Sequence, residues 1–194
     1  MDDLPEQVVW DILGRIKSTV DRNSVSLTCK RFHELANEQQ KSIRFVRGLG
    51  PSHPALISLC NRFQNLEKVE ISYLGPLLEL HLKDKEIHIL STSCPRLKHV
   101  ILSYCYYITD YGLSYLASCS NLSSLKLISA SRITSSGILS VLMGCNNLKS
   151  LHLINCRHVI IPNEWMEHLG KLEDLCIKQL EKVILLKLRV LCGN

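Results

Sequence analysis

The sequence lacks most of the features that would announce a chemistry. No apolar run approaches the roughly 20 residues that a bilayer-spanning helix requires, and there is no C-x-x-C, no G-x-S-x-G and no H-E-x-x-H. These absences argue against a spanning protein, a zinc ribbon, an esterase-type nucleophile and a zinc protease. The stretch GRIKST (14–19) ends like a phosphate-binding loop but has neither the upstream glycine nor a strand before it. Charge of one sign is also scarce. The net charge is +5, and residues 1–47 carry eight Lys or Arg against seven Asp or Glu. No basic arm is therefore offered to nucleic acid or to an anionic membrane, and neither partner is expected. The opening MDDLPEQVVW is acidic where a secretory signal is basic. The expected compartment is intracellular, nucleus or cytoplasm. Nine cysteines, an odd number, then read as free thiols in a reducing environment.

What is present is repetition. CPRLKHVILSYC (94–105), CSNLSSLKLISA (119–130) and CNNLKSLHLINC (145–156) align on their leucines. Leu97, Leu122 and Leu148 share one position; Val100, Leu125 and Leu151 a second; Leu102, Leu127 and Leu153 a third. FQNLEKVEISYL (63–74) and LGKLEDLCIKQL (169–180) keep an aliphatic residue at all three. An L-x-x-L-x-L core at a period of about 25 residues is the signature of leucine-rich repeats. In L-x-L the apolar pair points to one side of a short strand and the residue between points to the other. One such strand cannot bury its face alone, whereas stacked copies can. Strands are expected near 66–72, 97–103, 122–128, 148–154 and 172–178.

Between strands an I-T-x-x-G-[LI]-x-x-[LV] pattern recurs, in YYITDYGLSYLASC and SRITSSGILSVLMGC. Asp110 or Ser135 is expected to cap a helix there, and Leu113, Leu116 and Ala117 follow at helical spacing. In the earlier linker, Asp84, Ile87 and Leu90 take the same roles. Each repeat is thus strand, turn and helix. Cys94, Cys119 and Cys145 end helices, and Cys105 and Cys156 follow strands at a position where the middle copy has Ala130. A place that accepts Cys or Ala wants a small apolar side chain, so these thiols read as packing. Cys145, His152, Cys156 and His158 lie close in sequence, but four ligands must converge within about 2.0–2.3 Å of a zinc ion, and His152 points away from the leucines. No metal and no other cofactor is expected.

Residues 1–45 do not share the repeat. Pro5 suits a first helical turn, with Asp2 and Asp3 ahead of it to meet the dipole. Val9, Ile12, Leu13 and Ile16 mark one helical face. Asp21 is placed to cap a second helix carrying Val25 and Leu27. A third begins near Thr28, with Cys29, Phe32 and Ala36 inward. Three short helices in so few residues make a marginal core that leans on a partner or on the first repeat.

LPEQVVWDILGRI followed by DRNSVSLTCKRF resembles an F-box. Leu4–Pro5 matches its opening pair, Ile12–Leu13 its first apolar pair, and Val25, Leu27, Cys29, Lys30 and Arg31 its V-C-[KR]-R stretch. Thr28 and Phe32 depart from the usual Val and Trp. With the cysteine-type repeats behind it, the whole chain is similar to plant F-box proteins with leucine-rich repeats. That resemblance implies an α/β fold: a small three-helix F-box domain at 1–45 and a short solenoid of about five strand–turn–helix repeats at 46–194. It implies a non-catalytic substrate receptor of an SCF-type (Skp1–cullin–F-box) ubiquitin ligase, whose substrates go to proteasomal degradation. The F-box would bind a Skp1-like adaptor, and through it a cullin, by Leu4, Pro5, Val9, Ile12, Leu13 and Val25. For Ile12, Leu13 and Val25 the alternative expectation is that they fill the helical core. The repeats would hold a protein substrate. Alternatives are a repeat scaffold outside ubiquitin chemistry, or a truncated form that binds adaptor without substrate.

Strand residues between the leucines project from the concave face, where solenoids commonly bind. The candidate substrate residues are Glu70, Ile101, Lys126, Ile128, His152 and Ile154, with Ile101, Ile128 and Ile154 as a diagonal apolar patch. The chain ends EKVILLKLRVLCGN, an apolar tail unlike the polar cap a solenoid requires. Receptor-type relatives carry more repeats, so a truncated chain is one expectation.

Overall fold

The computed structural model describes residues 4–45, 52–73 and 82–179. The apolar tail from residue 180 onward lies outside the described residues. Three helices open the chain: α1 (Glu6–Arg15), α2 (Thr19–Ser26) and α3 (Lys30–Glu38). Strand and helix then alternate through β1 (Ser42–Phe45), α4 (His53–Arg62), β2 (Lys68–Ser72), α5 (Asp84–Ser93), β3 (His99–Ser103), α6 (Asp110–Leu116), β4 (Ser124–Ile128), α7 (Ser135–Gly144), β5 (Ser150–Ile154), a 3-10 turn at Asn163–Trp165, α8 (Met166–Leu169) and β6 (Asp174–Lys178).

The strands form one parallel sheet in chain order, β1-β2-β3-β4-β5-β6. Its register follows the leucine alignment: Val69, Val100, Leu125, Leu151 and Leu175 stand side by side, as do Ile71, Leu102, Leu127, Leu153 and Ile177. In β2, β4 and β5 the burial alternates, with the two aliphatics inside and their neighbours half-buried. The inward residues and the helix faces behind them make one continuous core from Leu56 to Leu172. β1 was not foreseen. SIRF carries no L-x-x-L-x-L, yet it pairs with β2 through Ser42↔Lys68 to Phe45↔Ile71. The expected domain boundary at residue 45 thus falls at the end of the first strand of the sheet.

The I-T-x-x-G motif has a physical meaning that differs from the expected one. The helix caps are Thr109 and Thr134, one residue ahead of Asp110 and Ser135, and their hydroxyls accept from the N–H groups of Tyr111 and Ser136. The aspartates reach across repeats instead. Asp84 accepts from the N–H (2.8 Å) and hydroxyl (2.6 Å) of Thr109, and Asp110 does the same for Thr134 at 2.8 and 2.6 Å. Each threonine hydroxyl therefore donates to the preceding repeat while accepting from its own helix. A Cβ on Gly112 would stand 2.5 Å from Asp84 Oδ1, and one on Gly137 would collide with Asp110. The glycine of the motif is the space in which the previous repeat's carboxylate sits.

A second ladder runs along the repeats just ahead of the first leucine. Asn65, Asn121 and Asn147 donate to the carbonyls of Glu38, Pro95 and Ser120 at 2.8–2.9 Å. Asn65 thereby ties α3 to the solenoid, with help from Arg62, whose Nε donates to Asn37 Oδ1 at 2.8 Å.

Cys94, Cys105, Cys119, Cys145 and Cys156 are all buried in the core. Burial pushes the Cys105 and Cys145 thiols up to about 12 and Cys119 up to about 11. Thiols held neutral in this way fill space and do not react at ordinary pH.

Candidate binding surfaces

The helical unit has a small interior. Val9 and Leu13 of α1 meet Leu35 and Ala36 of α3, with Trp10, Ile16, Val25 and Phe32 partly buried around them. Val9 and Leu13, expected at the adaptor surface, are 1% and 0% exposed; they hold α1 against α3 and leave no atom for a partner. Val25 is half-buried at the edge of the same cluster. Leu4, Pro5 and Ile12 face outward. One inward assignment also fails. Cys29 is exposed because it precedes α3 as its N-cap, and Leu27, at the end of α2, is 80% exposed. α2 itself begins two residues before Asp21, capped by Ser18, whose hydroxyl accepts from the Asp21 N–H.

The outward residues form a pattern. Leu4, Val8 and Ile12 are 40%, 41% and 49% exposed and lie four apart, so they stack on one side of α1 and its lead-in. Val20 and Leu27 repeat the theme seven apart on α2. α1 is thus apolar on two faces, one spent on the interior and one open. Val8 was missed in the sequence although the four-residue spacing was there to be read; the inner stripe Val9–Leu13 had already claimed the helix. The carbonyl of Leu4 accepts from the Arg31 guanidinium at 2.5 Å, which anchors the start of the stripe to α3.

The second surface is the sheet face opposite the core. Glu70, Ile101, Lys126 and His152 stand in one row of paired residues, and Ile128 pairs with Ile154 in the next. All six are half-buried, not fully exposed, because each is flanked by strands on both sides. Ile101, Ile128 and Ile154 do lie on this face, but Ser103, beside Ile128, is buried. Glu70 is bridged by Arg44 at 2.9 Å, and His152 Nε2 contacts Asp174 Oδ2 at 2.6 Å. Cys145 and Cys156 sit in the core while His152 faces outward against Asp174, so the four residues considered for zinc occupy separate environments. Among the described residues no group of three or more His, Cys, Asp or Glu is placed to hold a metal ion, and no helix is long and apolar enough to cross a membrane.

A parallel sheet built from one short repeated unit, with a helix behind each strand and a separate helical unit ahead of it, defines a leucine-rich-repeat architecture carrying an N-terminal helical module. A family model for the F-box matches residues 1–38, which is that module. The chain is similar to F-box/LRR-repeat protein 12 of Arabidopsis thaliana, at 30% identity over 138 residues, 64% of this chain and 34% of that protein. The F-box likeness thus covers the first 38 residues, and the chain spans about a third of the length of the plant relative it matches.

Proposed function

We propose that this chain is the substrate-receptor subunit of an SCF-type ubiquitin ligase, with no chemistry of its own. The helices through Glu38 bind a Skp1-like adaptor, which joins them to a cullin, and the sheet from β1 onward holds a protein substrate on its concave face. The observation that carries this reading is the open apolar stripe Leu4–Val8–Ile12 inside the F-box match. A soluble chain gains nothing by holding aliphatics in water on a helix that already has a buried face, and such a patch marks a partner surface. The adaptor contacts are then Leu4, Pro5, Val8 and Ile12, with Val9, Leu13 and Val25 holding the helix that presents them.

Calorimetric titration of the purified chain with a Skp1-like adaptor tests this, beside a Leu4→Asp/Ile12→Asp variant. Each lost apolar anchor costs about 2 kcal/mol, so the double variant should bind at least about a hundredfold more weakly with an unchanged circular dichroism spectrum. A folded wild-type chain that does not bind adaptor is instead a repeat scaffold outside ubiquitin chemistry.

A further inference from the structure

Charge on the solenoid is distributed unevenly. On the concave face the acids are already engaged: Glu70 by Arg44 and Lys68 (2.9 and 3.9 Å), and Asp174 by His152 and the Ser150 hydroxyl (2.6 and 3.3 Å). Four cations toward the carboxyl ends of β4, β5 and β6 have no ion pair among the described residues: Lys126, Arg132, Arg157 and Lys178. Lys126 and Lys178 stand on β4 and β6 themselves, and the placement of Arg132 and Arg157 follows from the turn that β4 and β5 each make. Tyr104, Ser129 and Asn155 take left-handed conformations with φ of 57°, 54° and 56°, which swing the chain off the sheet. The next residue, Cys105, Ala130 or Cys156, is buried, and the two after it emerge at the rim. Arg132 lies over the ring of Tyr107 from the turn before, 5.2 Å from its centre, and is held in place by that contact.

Two of these cations, Lys126 and Lys178, border an apolar pair, and Arg132 and Arg157 stand at the rim after the turns that follow it. Ile128 and Ile154 are paired across β4 and β5; Lys126 is two residues before Ile128, and Lys178 is the partner of Ile154 on β6. β4 to β6 span roughly 10 Å at the usual strand spacing. Unpaired like charges around a half-buried aliphatic centre repel one another until a negative partner arrives, and such complementarity both steers and selects. Bases of a single strand would need exposed rings at the centre on which to stack, but the centre is aliphatic and Arg132 covers one face of Tyr107.

We propose that this end of the concave face binds an acidic segment of a partner protein, a stretch of several Asp or Glu flanking one large apolar side chain. The apolar residue seats between Ile128 and Ile154, and the carboxylates meet Lys126, Arg132, Arg157 and Lys178. This names the substrate class for the receptor role proposed above and rests on the repeats being the substrate-holding part.

Short random peptides displayed on phage and selected on the immobilised full chain provide the test, with the enriched peptides then measured by fluorescence polarisation. The expected winners carry net negative charge around a single aliphatic or aromatic residue, and added salt weakens them. Arg132→Glu/Arg157→Glu should reduce their affinity by about tenfold or more, while Arg132→Lys/Arg157→Lys, which keeps the charge, retains most of it. Enrichment of neutral or basic peptides, no enrichment above the charge-reversed variant, or a single-stranded oligonucleotide that outbinds every peptide would each overturn the proposal. Adaptor binding by the same preparations separates the two readings. Acidic peptides bound without adaptor sink the ligase role and leave this surface standing; adaptor bound without acidic peptides does the reverse.

Discussion

The helical module and the solenoid bury their apolar side chains on different scales. Among the described residues the module has four that are fully inside, Val9, Leu13, Leu35 and Ala36, and leaves Leu4, Val8, Ile12, Val20 and Leu27 open. The solenoid closes one uninterrupted core over six strands, because every repeat offers its neighbours the same face. A repeat unit is completed by its own kind, whereas the module is completed only partly by α3's hydrogen bonds to the first repeat and keeps an open face. Adjacent parts of one chain thus differ in kind, one closed upon itself and the other keeping the apolar face that the proposed adaptor would cover.

Mutation can sharpen that contrast. Leu125→Ala empties a fully buried site in the middle of the sheet and should cost about 3 kcal/mol in denaturant unfolding; Val25→Ala, at the half-buried rim of the module, should cost under about 1 kcal/mol. Equal costs would mean that the module is as tightly built as the solenoid. Asp84→Ala removes both bonds to Thr109 and leaves that N–H without its partner, a loss of about 2 kcal/mol. Asp84→Asn keeps an acceptor and should recover part of it. Hydrogen exchange should find the amides of β3 to β5 slower than those of α1 and α2 by about a hundredfold, since local opening follows contact density. Added adaptor should slow the helices and leave the strands unchanged; uniform slowing would break the division of labour. Smallest in effect, alkylation of the native protein near pH 8 should label Cys29 and Cys176 and spare Cys105, Cys119 and Cys145, whose buried thiols stay protonated. Peptide mapping by mass spectrometry reads that pattern directly.

The α/β solenoid was legible because its signal is periodic. Leucines three and two apart, written again about 25 residues later, determine which residues lie side by side, and the strand register obeys that alignment. The helix caps were misplaced by one residue. Asp110 is a good cap by type, but its carboxylate is taken up by Thr134, 24 residues further on. A local reading weighs a side chain against its nearest amides and does not see a competitor in the next repeat. β1 was missed because an edge strand with one neighbour needs less of the pattern. In the module, Leu4 and Pro5 fell outside the core pattern, but Ile12 was grouped on one face with Val9, Leu13 and Ile16, from which it was not separable by type. Only the geometry of α1 against α3 distinguishes the two stripes.

The joint made by aspartate, threonine and glycine has a consequence for how such chains grow. The unit built on α6 carries both halves of the joint, Thr109 receiving Asp84 on one side and Asp110 reaching Thr134 on the other, whereas in the next unit Ser135 takes the aspartate's place and exchanges bonds with the Ile160 backbone. A tandem duplication of the α6 unit therefore arrives with both halves of the fastening already cut to fit, and its deletion would bring Asp84 to Thr134 on the same terms. Recombination can add or remove copies of that unit without a compensating substitution at the joint.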